Sequence, residues 1–109
     1  MITCFIRYDI DPARADAFET YARLWGQAIP ACGADLIGYF APQEGDASLA
    51  YGVYSLPDLA AYERYRARLR AHPLGREAFD FARAERFIRR ETRSFLRLAS
   101  GPHAERIAE

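Results

Sequence analysis

The segment 87 to 98, FIRRETRSFLRL, sets Phe87, Arg89, Glu91, Arg93 and Phe95 at alternate positions. Read as a strand, it puts two guanidiniums and one carboxylate on a single face, which we assign to the side of the sheet away from the helices. Arg7, in the segment 2 to 9, joins them there and leaves positive charge in excess. Guanidinium forks bind carboxylates and phosphates through paired hydrogen bonds, so the cluster is a candidate site for a small organic anion. The phenols of Tyr39 and Tyr51 are assigned to the same face and could donate to the same ligand. The candidate ligand-binding set is therefore Arg7, Tyr39, Tyr51, Arg89, Glu91 and Arg93. The plainer reading, preferred here, pairs Arg7 with Glu91 across strands and uses the other arginines to guard a sheet edge.

Other chemistry-bearing residues read more simply. Tyr62 and Tyr65 share a helical stripe with Leu59 and Leu69, and Tyr54 shares the helix-facing parity of its strand, so all three are expected to pack. His72 and His103 are the only histidines, without metal-ligand spacing or a triad partner. His72 is expected to cap a helix end. Cys4 and Cys32 show no CxxC or Cys/His pattern, and Cys4 is expected to behave as a small buried apolar residue. There is no glycine-rich phosphate loop and no zinc motif, so no cofactor or metal is expected.

The 15 basic residues, all arginine, balance 15 acidic ones. A net charge of zero gives no global support for gripping nucleic acid or an anionic membrane, and neither is expected as a partner. The start, MITCFIRYDID, has too short an apolar run and acids too early for a signal peptide. Nor is there a run of about 18 apolar residues for a spanning helix. A soluble protein in a reducing cytoplasm is expected.

The elements that must position these residues follow from periodicity. Residues 2 to 9 alternate as a strand, with Ile2, Cys4, Ile6 and Tyr8 on one face and Thr3, Phe5, Arg7 and Asp9 on the other. Asp11-Pro12 starts a helix over 12 to about 31, whose stripe is Phe18, Tyr21, Ala22, Trp25 and Ile29 and whose end is near Gly33. Residues 34 to 41 and 48 to 55 read as strands joined by the turn-forming PQEGDA. Ser55 and Asp58 have capping-box spacing before a second helix that His72-Pro73 breaks. Residues 74 to 86 give a further helical piece and 87 to 98 a fourth strand, preferred over one continuous helix from 76 to 98. One domain over 1 to 98 and a tail over 99 to 109 complete the reading.

The order βαββαβ predicts an α+β, ferredoxin-like antiparallel sheet in spatial order 4-1-3-2 with helices on one face. The face left uncovered carries Phe5, Ile37, Tyr39, Leu49, Tyr51 and Val53, while Leu36, Phe40, Ala50 and Tyr54 are assigned to the helices. An apolar patch of several hundred Å² is more than a soluble monomer usually leaves in water. A two-fold homodimer, sheet against sheet, covers it.

The segments RYDIDPARADAFETYA, LIGYFAPQEG, VYSLPDLAAYERYRARLRAHP and REAFDFARAERFIRRETRSFLR carry a resemblance to the NIPSNAP family, within the wider group of dimeric α/β-barrel proteins. It covers residues 2 to 98 or so. Many NIPSNAP-like first strands carry a Glu and an Arg two apart on one face; here Cys4 and Ile6 hold those positions, and no role of that pair is carried over. The resemblance implies the barrel architecture, shared by heme-degrading enzymes, quinone-type monooxygenases, chlorite dismutases and ligand-binding modules, rather than a reaction. Its first implication is a NIPSNAP-like dimer of unassigned biochemical function binding a small organic molecule between the sheets. The alternatives are a cofactor-free monooxygenase acting on an aromatic or quinol, with Glu91, Tyr51 or His72 as base, and a protein-interaction scaffold presenting Glu63, Arg64 and Arg68.

Overall fold

Among the described residues four strands form one antiparallel sheet in the order β2-β3-β1-β4, and three α-helices lie against one of its faces. The structure is a computed structural model that describes residues 1–102; of the tail expected over 99–109, residues 103–109, His103 among them, lie outside the described residues. This is the ferredoxin-like α+β arrangement that the sequence predicts, with the second crossover divided between two helices. No helix among the described residues is long and apolar enough to cross a membrane.

β1 (Ile2–Ile10) is a central strand, and its alternation decides the core: Cys4, Ile6, Tyr8 and Ile10 are buried beneath the helices. After it, the Asp11 carboxylate accepts from the Ala13 amide at 3.0 Å, and Pro12 opens a 3-10 turn that runs into α1 (Ala15–Ala31). α1 buries Phe18, Tyr21, Trp25 and Ile29, the stripe read from its spacing. It ends at Gly33, whose φ of +97° suits a residue without Cβ, and Arg68 Nε donates to the Cys32 carbonyl at 2.8 Å.

β2 (Asp35–Phe40) and β3 (Leu49–Leu56) form a hairpin closed by a loop in which Asp46 accepts from the Ser48 amide at 2.9 Å. The cap of α2 (Leu59–Ala71) differs from the expected capping box. Ser55 is a buried residue of β3, and Asp58 is itself the N-cap, accepting from the Ala61 amide at 2.8 Å. Tyr65 and Leu69 face the core as expected, while Leu59 lies in solvent at the first turn. His72 ends α2, but its ring Nδ1 accepts from the Leu74 amide at 3.1 Å and so caps the start of α3 (Pro73–Glu85). β4 (Ile88–Leu96) returns along the free edge of β1.

Candidate functional site

Cross-strand partners in an antiparallel sheet share a face, so register decides where each candidate residue points. Toward the helices stand the rows Leu36, Tyr54, Cys4, Phe95; Tyr39, Gly52, Ile6, Arg93; and Ala50, Tyr8, Glu91. Toward the open side stand Gly38, Val53, Phe5, Ser94 and Phe40, Tyr51, Arg7, Thr92.

The six candidate residues are thereby divided. Arg7 and Tyr51 are direct neighbours on the open face, where they were placed. Glu91, Arg93 and Phe95 are on the helix side, because even positions of β1 pair with odd positions of β4. Phe87 precedes β4 and is fully buried against Phe18 and Tyr21. Arg89 occupies a β-bulge between the Asp9 and Ile10 pairings and lies 3.6 Å from Asp11. Tyr39 also turns to the helices and Phe40 to the open face, because a register shift between Leu36 and Gly38 leaves Ile37 unpaired and reverses the alternation. The expected Arg7–Glu91 pair does not form; Arg7 lies 3.8 Å from Asp9, an exposed pairing of little energetic weight.

The residues that come together on the helix side make a crevice of about 30 Å³, room for about two water-sized groups. Tyr8, Tyr21, Tyr39, Tyr54, Tyr65 and Trp25 are among its lining residues, and Arg66, Glu91 and Arg93 are its charged ones. The aromatic rings pack edge-on, Tyr8 on Tyr21 at 5.8 Å and Tyr21 on Trp25 at 5.8 Å, which fixes their positions. The Tyr39 ring lies across Gly52, where any Cβ would sit 2.6 Å from its Cζ, and the Tyr39 and Tyr8 hydroxyls are hydrogen-bonded at 3.2 Å.

Burial holds the Tyr8 and Tyr39 phenols well above the ordinary tyrosine value. Burial, with the Glu91 carboxylate adding to it, pushes Tyr21 up to about 12, and burial raises Tyr54 and Tyr65 as well. At neutral pH these five phenols are therefore protonated groups able to donate, and none is a base. Arg93 Nη1 donates to the Tyr62 hydroxyl at 3.2 Å, while among the described residues its Nε is buried without a well-formed hydrogen bond, the Cys4 thiol lying beside the guanidinium. The indole Nε1 of Trp25 is likewise buried without a well-formed bond among the described residues, with the Tyr21 hydroxyl beside it. A buried donor left poorly paired costs up to about 1–3 kcal/mol, so both would gain from a better acceptor.

Of the three bases considered from sequence, Tyr51 is on the other face of the sheet and His72 caps α3, leaving Glu91 on the crevice. Arg68 of the suggested scaffold surface is engaged with the end of α1. Trp25, Tyr8, Tyr21 and Arg66 were not among the candidates. The legible signal was Trp25 itself, a core-stripe indole whose N–H needs a partner.

The family model described as NIPSNAP matches residues 3–102. The chain belongs to the NIPSNAP family. Its architecture is similar to that of a NIPSNAP family protein from Agrobacterium tumefaciens, with TM-score 0.78 and 19% identity over 94% of this chain and 92% of that one. It is also similar to a NIPSNAP-like domain protein from Burkholderia xenovorans, with TM-score 0.71 and 27% identity over 93% of this chain and 88% of that one. A putative antibiotic biosynthesis monooxygenase from Nitrosomonas europaea shares the fold at TM-score 0.69 and 9% identity, over 92% of this chain and 100% of that one. A comparison with curated proteins found no match. This NIPSNAP chain thus carries a crevice on the helix side of its sheet and an uncovered apolar surface on the other.

Proposed function

We propose that this NIPSNAP protein is a homodimer closed through its open sheet face, and that each subunit holds the head of a small organic anion in the tyrosine crevice. The observation that carries the binding reading is that two residues lining one crevice, Trp25 and Arg93, each hold a buried donor, Nε1 and Nε, without a well-formed hydrogen bond among the described residues. Protonated phenols add further donors, so the complementary head is rich in acceptors, as a carboxylate is. The crevice admits only that head; the body of the ligand sits at the mouth beside Arg66 and Glu91. Polar recognition, expected between two sheets, moves in this reading to the space between sheet and helices.

The open face supports the dimer. Phe5, Ile37, Phe40, Val53, Leu96 and Leu98 line an apolar groove of about 380 Å³, and Ile37, Phe40 and Leu96 are each more than half exposed. A soluble chain covers such a surface, and the same surface on a second copy is self-complementary about a two-fold axis. Cys4 and Cys32 are both free and buried, which fits the reducing cytoplasm proposed as its location.

Trp25 is the only tryptophan, so its emission reports directly on the crevice. Titration with benzoate and a panel of small carboxylates should give a saturable change in emission for at least one member. Arg93→Met, checked for folding by circular dichroism, should weaken it about tenfold or more, the share of one hydrogen bond to a charged group. A ligand seen by native mass spectrometry whose binding leaves both Trp25 emission and the Arg93→Met affinity unchanged would show that the crevice is not the site.

A further inference from the structure

Outside the crevice the strongest unexplained feature is a patch of arginine on the outer surface of the helices. Arg66 and Arg70 are four apart on α2; Arg76, Phe79 and Arg83 lie at i, i+3 and i+7 on α3. These five residues surround a groove of about 360 Å³. The chain as a whole is neutral, so this concentration is a matter of placement: α2 carries Arg64, Arg66, Arg68 and Arg70 against Glu63 alone.

The charges are largely uncommitted. Among the described residues, Arg66, Arg70 and Arg76 have no ion pair and donate no side-chain hydrogen bond. The Arg66 guanidinium instead stands 6.0 Å from the centre of the Tyr62 ring. Arg83 is paired only with Asp80, three residues away, in a highly exposed contact at 3.3 Å. Glu77 and Asp80 line an adjoining hollow with Arg76 and leave the groove itself walled by arginine and Phe79. Four guanidiniums around one concavity raise the positive potential there and favour an anion among them.

The groove also shares part of its lining with the crevice. Arg66 and Phe79 line both, and Phe79 packs edge-on against Trp25 at 5.0 Å. The Phe79 ring and the Arg66 side chain are thus common to both spaces. The groove lies on the helix layer, away from the apolar sheet face, and stays open if that face is covered.

The geometry points to a ligand with two polar ends: a phosphate or pyrophosphate group seated among Arg66, Arg70, Arg76 and Arg83, and a carboxylate or carbonyl end entering the crevice. The class is a soluble organic phosphate. This rests on the crevice reading for the second end only. Multiply charged oxyanions suit four guanidinium forks, whereas a single carboxylate would leave most of them unused.

Inorganic pyrophosphate is the probe for the first end, followed by ³¹P line broadening and calorimetry at fixed ionic strength. Saturable binding, weakened at least tenfold in Arg70→Gln/Arg76→Gln and unchanged in Arg93→Met, is the expected result. Benzoate titration of Trp25 in the same double variant should be unaffected, and a wild-type chain that binds pyrophosphate but gives no carboxylate response would remove the crevice reading and leave the groove. Binding of pyrophosphate that is no stronger than that of sulfate, or indifferent to the double variant, overturns the inference. So does arginine-dependent sedimentation with phosphatidic acid vesicles without a pyrophosphate response, which would make the patch a membrane contact.

Discussion

Seven tyrosines are the residues that most invite a catalytic reading, and their surroundings give five of them a different role. A phenol removed from water resists ionisation, because the phenolate loses its hydration while the neutral form keeps its packing. For Tyr21 the folded value of about 12 lies above the value near 10 of an exposed phenol. Its contribution is therefore fully present below pH 10 and is lost as pH rises toward 12, an effect of about 2–3 kcal/mol for that one group. Tyr8, Tyr39, Tyr54 and Tyr65 act in the same direction. Urea midpoints should decline above pH 10, and the phenolate absorbance of these five should appear together with loss of near-ultraviolet circular dichroism. Reversible ionisation of these five phenols at pH 10 with native dichroism retained would refute that account.

Strand register is where local pattern and final position part company. β2 opposes β3 with one residue too many, and the extra residue, Ile37, exchanges the faces of Tyr39 and Phe40. What fixes the exchange is Gly52, whose missing side chain is the space the Tyr39 ring fills. Gly52→Ala would force that ring away from Tyr8, and it should cost about 1–3 kcal/mol, read as a lower urea midpoint with unchanged slope. In a Tyr39→Val background the same substitution should cost clearly less. Equal costs in the two backgrounds would mean that Gly52 and Tyr39 are not coupled.

For the molecule as a whole, the decisive quantity is what covers the second face of the sheet. Val53 is nearly inaccessible yet stands apart from the core cluster beneath the helices, while its neighbours Phe5 and Phe40 border open groove. Native mass spectrometry and light scattering at micromolar concentration should give twice the 12.4 kDa chain mass. Phe5→Arg/Phe40→Arg should raise the dimer dissociation constant tenfold or more, since it puts two charges into an apolar contact. A wild-type chain that is a monomer at these concentrations would remove the interface, and with it the first half of the proposed function.

Period and punctuation in the sequence were enough to determine the four strands, the α1 stripe and the helical segments of the second crossover. Each depends on local physics: alternation of two, recurrence near 3.6, a Pro at a helix start, a Gly at its end. The order of elements then determined the antiparallel 4-1-3-2 sheet, and the faces of β1 and β3 followed from alternation alone. The faces of β4 and of the end of β2 were settled only by tertiary structure. β4 is an edge strand whose helix-facing side lies at the rim, so charged Glu91 and Arg93 are tolerated there and polarity no longer marks the outward face. A bulge is likewise invisible to a period of two. Because a shift of one residue carries every later side chain to the other face, those two pairings moved Tyr39, Glu91 and Arg93 from between two sheets to beneath the helices, where Trp25 and the buried phenols meet them.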